Sequence, residues 1–182
     1  MIMKRCHWCN PNNEIYVKYH DYEWGKLCLE EGYLFEMLLL ESFQAGLSWE
    51  CVLNKRENFR RAFDGFDVKK ISEYKSEKIA ELFENKGIIR NKRKILAAVN
   101  NAIVFIQIQK EFGSFCAYLE FFTEKKIFVE IGLVTSNLSD RISEDLQKRG
   151  MKFVGSTIIY SYLQAIGIIV SHERECFLYQ EK

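Results

Sequence analysis

Residues 33–49 read YLFEMLLLESFQAGLSW, and no other stretch constrains the fold as tightly. Leu34, Phe35, Met37, Leu38, Leu39, Leu40 and Phe43 make it apolar on nearly all sides, so as a helix it is buried rather than laid on a surface. The rest of the chain must then wrap around it. One carboxylate stands out inside it, Glu41, a turn after Met37 and Leu38 and a turn before Gln44 and Ala45. Gly46 is a natural helix stop, which puts Glu41 near the negative end of the helix dipole. Burial and dipole both disfavour a charge there unless a cation or a donor faces it. Leu47, Ser48 and Trp49 follow as a tight turn, an N-cap candidate and a large ring. The stretch predicts a carboxylate at the rim of an aromatic pocket, its partner being either a ligand or an Arg or Lys elsewhere in the chain.

At 182 residues the chain makes a single unit, and with one proline and few alternating apolar runs it is predicted to be all-α. The net charge of +1 argues against a globally basic nucleic-acid binder. It leaves room for a local patch: KGIIRNKRK, residues 86–94, carries Lys86, Arg90, Lys92, Arg93 and Lys94 without an acid. The N-terminal MIMKRCHW has no apolar signal region and no run is long enough to span a bilayer, so a cytoplasmic protein without membrane contact is expected, a monomer by default. Its six cysteines are then reduced, serving as core residues, metal ligands or nucleophiles.

Along the chain, Asn10 and Pro11 are expected to open a helix carrying Tyr16, Tyr19 and His20 on one face. Ser48 starts a helix to about Phe63 with Lys55, Arg56, Arg60 and Arg61 outward. Asp67 and Ser76 cap two short helices, and NKGIIRN makes a hairpin in which Gly87 frees the backbone to turn. Asn91 caps a long helix whose inner stripe is Ile95, Val99, Ala102, Ile103 and Ile106. Residues 123–138 are the least readable, Ser139 caps a helix to Gly150, and residues 156–166 form an apolar helix.

Two groups carry chemistry. Cys6 and His20 near the start, with the His172-x3-Cys176 pair near the end, suit a tetrahedral Zn²⁺ that ties the two termini together. Cys6-x2-Cys9 is itself a zinc-like spacing, so Cys9 is either a ligand or a bystander. The second group is Glu41 with Trp8, Tyr16, Tyr19, Trp24 and Trp49, whose faces suit cations and flat rings.

The runs RCHW, YVKYHDYEWG, LFEMLLLESFQAGLSW, NKRENFRRAF, GIIRNKRKI and KRGMKFVGSTIIYSYLQAIG, with the trailing His-x3-Cys, resemble the DNA-3-methyladenine glycosylase I family over about residues 5–176. The resemblance implies a helix-hairpin-helix DNA-repair fold, with core helices and hairpin at about 33–122 and a zinc-clipped part from 1–32 and 123–182. It implies Cys6, His20, His172 and Cys176 as ligands of one structural Zn²⁺. It implies Glu41 and Tyr19 as catalytic residues, with Trp49, Trp8 and Tyr16 completing the base pocket. Gly46 and Leu47 would approach DNA, and the KGIIRNK hairpin, with Gly87, Ile88, Arg90 and Lys92, would hold a phosphate. Ile89 stands where the wider superfamily often has a second glycine, and no acid follows in that superfamily's catalytic place, an absence the family resembled here shares.

The activity so implied is hydrolytic excision of N3-methyladenine from alkylated double-stranded DNA, with free 3-methyladenine and an abasic site as products. A third reading, a zinc-dependent hydrolase, would need an open metal position, and the fourth ligand argues against that. The alternative from another class is a non-catalytic damage-recognition module on the same fold, which would keep the hairpin and basic cluster and need no intact pocket.

Overall fold

A computed structural model describes residues 3–179. Among these residues ten α-helices follow one another: α1 Glu14–Tyr22, α2 Glu31–Gln44, α3 Trp49–Leu53, α4 Arg56–Ala62, α5 Val68–Ser72, α6 Ser76–Glu84, α7 Lys92–Phe112, α8 Phe115–Thr123, α9 Asn137–Lys148 and α10 Ser156–Ala165. Two strands, β1 Phe128–Val129 and β2 Ile169–Val170, pair in parallel, Phe128 opposite Ile169 and Val129 opposite Val170. The all-α expectation is corrected by this pair alone. Two-residue strands leave no period-2 signature, which is why residues 123–138 resist reading.

The apolar stretch is α2, and every residue from Leu34 to Phe43 is buried. Helices α3, α7, α8 and α10 pack around it. Phe35 meets Phe105 of α7 edge-on at 5.1 Å, and Phe43 meets Phe59 of α4 at 4.8 Å. Each such side chain contributes about 1.5–3 kcal/mol on burial. The helix ends where Ala45 leaves the helical conformation and Gly46 takes φ +80°, a left-handed conformation that glycine adopts without strain. Lys94 Nζ donates to the carbonyls of Phe43 and Ala45, each at 2.6 Å, and so satisfies the end of α2. Lys94 is therefore buried and does not belong to the surface cluster in which its neighbours Lys92 and Arg93 stand exposed.

The chain ends are drawn together over α10. Gly25 N–H donates to the Gln164 carbonyl and Cys28 N–H to that of Ile166, both at 3.0 Å, and Phe177 N–H reaches the Lys4 carbonyl at 2.9 Å. Gly167 permits this contact: a Cβ there would lie 2.2 Å from the backbone of Lys26.

Several local expectations are corrected. Asn13, not Asn10, caps α1, accepting from the Ile15 and Tyr16 amides, and Pro11 lies in the turn before it. The helix expected from Ser48 to Phe63 breaks at Asn54–Lys55 into α3 and α4. Arg56 of α4 turns away from solvent and Arg60 stays partly accessible; both bond Glu36 of α2 at 2.7 Å, and Arg56 also holds Glu23. Gly87 has an ordinary φ, and what it provides is room, since a Cβ would press Asn58 and the Asn85 side chain at 3.1–3.3 Å. On α7 the buried stripe is Ile95, Ala98, Ala102, Phe105 and Ile108, while Ile103 is exposed. Ser76 is the first residue of α6 after Lys75 as N-cap, and α9 starts one turn early at a capping box of Ser136 and Ser139.

Candidate active site

Helix α1 places Tyr16 and Tyr19 on its inner face, α2 supplies Glu41 and Gln44 one turn apart, and Trp49 opens α3 behind the Ser48 cap. With Trp8, Trp24 and the Ser161 and Gln164 side chains of α10 they line a pocket of about 180 Å³. The predicted set Glu41, Tyr19, Trp49, Trp8 and Tyr16 is thus brought together. Tyr19 and Trp49 lie 5.4 Å apart at 51°, Trp8 and Tyr16 5.2 Å apart at 50°, and Trp24 meets the Trp8 edge at 4.8 Å.

Glu41 is 3% exposed and forms no salt bridge or hydrogen bond among the described residues. Burial alone pushes its carboxyl well above the ordinary 4.5. Of seven buried side-chain polar atoms without a partner among the described residues, three belong to this pocket: Glu41 Oε2, Gln44 Oε1 and Trp49 Nε1. Buried polar groups are normally satisfied, so their concentration in one cavity marks the place where a ligand supplies partners. Burial, then the nearby Glu41, raises the Tyr19 phenol well above its usual value, so Tyr19 stays neutral.

The sequence alone does not mark Gln44, Ser161 and Gln164 as lining residues, whereas Trp24 takes the place expected of it among the aromatic residues around Glu41. Their signal is a spacing: Gln44 is i+3 from Glu41, and Ser161 and Gln164 stand at the same spacing in the later, mostly apolar part of α10.

Cys6, His20, His172 and Cys176 are all buried, and their ligand atoms lie within 4.8 Å of one another, a group that could hold a metal ion. Cys6 Sγ and Cys176 Sγ are each 3.6 Å from His172 Nδ1, and Cys176 Sγ is 3.5 Å from His20 Nε2. His172 and Cys176 sit in a turn after β2, not on a helix. Backbone amides support the sulfurs: Glu173 N–H donates to Cys6 Sγ and Leu178 N–H to Cys176 Sγ. Asp21 holds His20 Nδ1 at 2.8 Å and is itself gripped by Arg5 at 2.7–2.8 Å, which directs His20 Nε2 toward the cluster. Cys9 faces the Tyr16 carbonyl and stays outside the group.

The two groups share a wall. Trp8 packs on His20 at 5.2 Å and Trp24 on His172 at 4.7 Å, so the cluster backs the pocket. At the other end of Glu41, Gly46 and Leu47 form an exposed turn, Leu47 being 42% accessible rather than packed in the core. In the hairpin Arg90 and Lys92 are exposed and Gly87 half-buried, whereas the Ile88 side chain is buried, leaving only its backbone for any contact.

Fold and site together define a mostly helical protein whose aromatic pocket closes over one partnerless carboxylate, with a buried two-Cys, two-His group behind it. The chain belongs to the methyladenine glycosylase family, whose pattern matches residues 8–179. It is 40% identical to DNA-3-methyladenine glycosylase 1 of Escherichia coli (strain K12), over 97% of each chain. It is 37% identical to DNA-3-methyladenine glycosylase of Haemophilus influenzae, over 94% of this chain and 96% of the other. A crystal structure of 3-methyladenine DNA glycosylase I superposes with a TM-score of 0.92 at 37% identity, covering 97% of this chain and all of the other. The Staphylococcus aureus enzyme, solved to describe 3-methyladenine recognition, gives 0.92 at 28% identity over 99% and 98% of the two chains.

Proposed function

We propose that the pocket receives a methylated adenine extruded from duplex DNA, held by Glu41 and stacked among Tyr19, Trp49, Trp8, Tyr16 and Trp24. The chain is a DNA glycosylase that excises 3-methyladenine in base-excision repair. The observation that carries the site assignment is the partnerless, buried Glu41 facing an aromatic cavity.

N3-methylation makes the base cationic within the nucleotide. The bond from C1′ to N9 then breaks with its electron pair going to the base, which leaves neutral. Water adds to C1′ and loses a proton, leaving an abasic site. The leaving group needs no proton, so Glu41 is free to act as an anion. It accepts from the exocyclic amine and faces the positive ring, in a bond stronger than a neutral one. The same cation lowers the cost of ionising the buried carboxyl. Gln44 Oε1 and Trp49 N–H offer the ring edge a further acceptor and donor. A guanine-type carbonyl in place of the amine meets repulsion from Glu41, so adenine is preferred. Extrusion costs a few kcal/mol and stacking recovers roughly 1–3 kcal/mol per aromatic contact. No lysine lines the pocket among the described residues, consistent with a monofunctional enzyme that leaves the strand uncut.

Leu47 and Gly46 enter the gap left by the extruded base. The hairpin at 86–92 holds a phosphate through its backbone amides, with Arg90 and Lys92 beside it. The Cys/His group holds one structural Zn²⁺. A tetrahedral ion with Zn–S about 2.3 Å and Zn–N about 2.05 Å has S···N edges of roughly 3.6 Å, and the separations of 3.5–3.6 Å support that fit. Bound there, the ion cross-links the chain ends and supplies no chemistry to the bond cleavage. The whole chain acts as one unit and as a cytoplasmic monomer; no helix among the described residues is long and apolar enough to cross a membrane.

The test is incubation of the purified protein with methylated duplex DNA and identification of the released bases. Free 3-methyladenine with little 3-methylguanine is expected, together with uncut strands until alkali treatment. Equal release of both bases would refute the adenine preference, and no release by the folded, metal-loaded protein would refute the activity.

A further inference from the structure

The side of α7 carrying Arg93, Leu96, Ala97 and Asn100 forms, with Lys152 and Phe153, a surface groove of about 530 Å³ outside the base pocket. The loop that closes it is built with care. Asn101, 3% exposed, grips Lys152 by both backbone groups, donating to its carbonyl and accepting from its amide at 2.8 Å, while Asn100 donates to the Gly150 carbonyl at 2.9 Å. Met151 and Val154, each 1% exposed, anchor the loop on either side. Between them Phe153 is held at φ +57°, a left-handed conformation that bulky residues rarely adopt. What this clamp presents is a half-buried ring under the Arg93 guanidinium, 6.0 Å away, beside an exposed Lys152 and a half-exposed Leu96. The groove has two cations, an apolar floor and no carboxylate.

We propose that this groove is a second binding surface for the DNA sugar–phosphate backbone, Arg93 and Lys152 meeting phosphates and Leu96 and Phe153 meeting sugar faces. The inference rests on the DNA reading of the hairpin and extends it. Arg93 follows Lys92 in the first turn of α7, so the groove adjoins the end of the hairpin, with Lys92 turned over Phe83 and Arg93 over Phe153. Phe153 also lies 5.8 Å from Lys94 Nζ, which bonds the Ala45 carbonyl directly before the Gly46–Leu47 turn. The groove therefore borders both elements assigned to DNA. An acidic protein partner would use the cations but has no reason to follow this continuity.

The experiment measures the affinity of the full chain for a duplex containing an abasic site over a range of salt concentrations. Arg93→Ala and Lys152→Ala are each expected to flatten the slope of log K against log salt by about 0.9, as loss of one phosphate contact does. Lys152→Arg keeps the slope, and Phe153→Leu lowers affinity several-fold without changing it. Lys92→Ala serves as the hairpin control, and binding of free 3-methyladenine, unchanged in all variants, reports an intact pocket and fold. If Lys92→Ala flattens the slope while Arg93→Ala, Lys152→Ala and Phe153→Leu match wild type, the groove assignment is overturned and the hairpin stands. If wild type shows no salt-dependent duplex affinity, the DNA reading of the hairpin falls and the groove with it.

Discussion

Helix α2 buries two carboxylates in opposite surroundings. Glu36, 6% exposed, accepts from Arg56 and Arg60 at 2.7 Å, and Arg56 is shared with Glu23. Burial works against the Arg56 charge, but Glu36 and Glu23 outweigh it and raise its pKa. Glu41, 3% exposed, faces aromatic rings and a cavity, and no cation among the described residues answers it. Burial of an acid therefore does not mark a site by itself. One end of the helix closes its electrostatics within the fold, and the other leaves them open for a ligand.

The largest effect that sharpens this contrast is expected from removing the Zn²⁺ proposed for the Cys/His group. At a metal concentration about 1,000 times Kd, binding stabilises by about 4 kcal/mol, on the order of 10 °C in melting temperature for a chain this size. Because Trp8 and Trp24 rest on His20 and His172, chelation should loosen amide protection around α1 and the pocket first, and leave α4 and the Glu36 end protected. Hydrogen exchange with and without chelator, followed by zinc add-back, checks this. Uniform loss of protection would show that the two ends are not independent.

Next comes Glu36→Ala, which leaves Arg56 with Glu23 alone and removes the acceptor shared with Arg60, and should cost about 1.5–3 kcal/mol of stability in denaturant unfolding. Activity per folded molecule should stay within a few-fold of wild type. Glu41→Gln is the mirror image. Stability is retained or raised, while excision of 3-methyladenine falls about 10- to 100-fold, the worth of a hydrogen bond to a charged group at roughly 1.5–3 kcal/mol. If the Glu36 variant loses activity at full stability, or the Glu41 variant loses stability with full activity, the contrast is reversed. Trp49→Leu removes one stacking face and should weaken binding of free 3-methyladenine by roughly 1–3 kcal/mol.

The contrast also separates what was legible in the chain from what was not. Glu41, the aromatic residues and the Cys/His quartet could be read because each is a costly choice in its setting: an acid inside an apolar helix, three tryptophans near one segment, paired ligands at fixed spacing. Glu36 sits in the same apolar stretch, but nothing near it in sequence sets it apart, because its partners lie on α4, where Arg56 and Arg60 look like an exposed basic face until the fold pairs them with it. Gln44, Ser161 and Gln164 are neutral and common, so only the cavity reveals them. Helix starts moved between equivalent caps, Asn10 to Asn13 and Ser139 to Ser136, since several side chains of the right type were within reach and tertiary packing chose among them. Lys94 could not be told from its exposed neighbours by charge alone; its depth follows from the carbonyls it meets at the end of α2.

A smaller effect follows from the raised Glu41 carboxyl. In the folded chain it keeps its proton at pH values where the unfolded chain, with an ordinary 4.5, has lost it. Relative to Glu41→Gln, wild-type stability should therefore fall as pH rises above 4.5, by up to about 1.4 kcal/mol per pH unit, and level off above the folded pKa. Denaturant midpoints of the two proteins from pH 4 to pH 8 read this difference, and parallel curves would mean that Glu41 titrates normally.

The most direct measurement is the pH titration of the Glu41 carboxyl carbon by NMR, in the free protein and with 3-methyladenine bound. The partnerless carboxyl should titrate well above the ordinary range when the pocket is free and at lower pH once the exocyclic amine of the seated base donates to it. An ordinary titration in the free protein, or one that the base does not move, would contradict the assignment of Glu41 as a carboxylate held in reserve for its ligand.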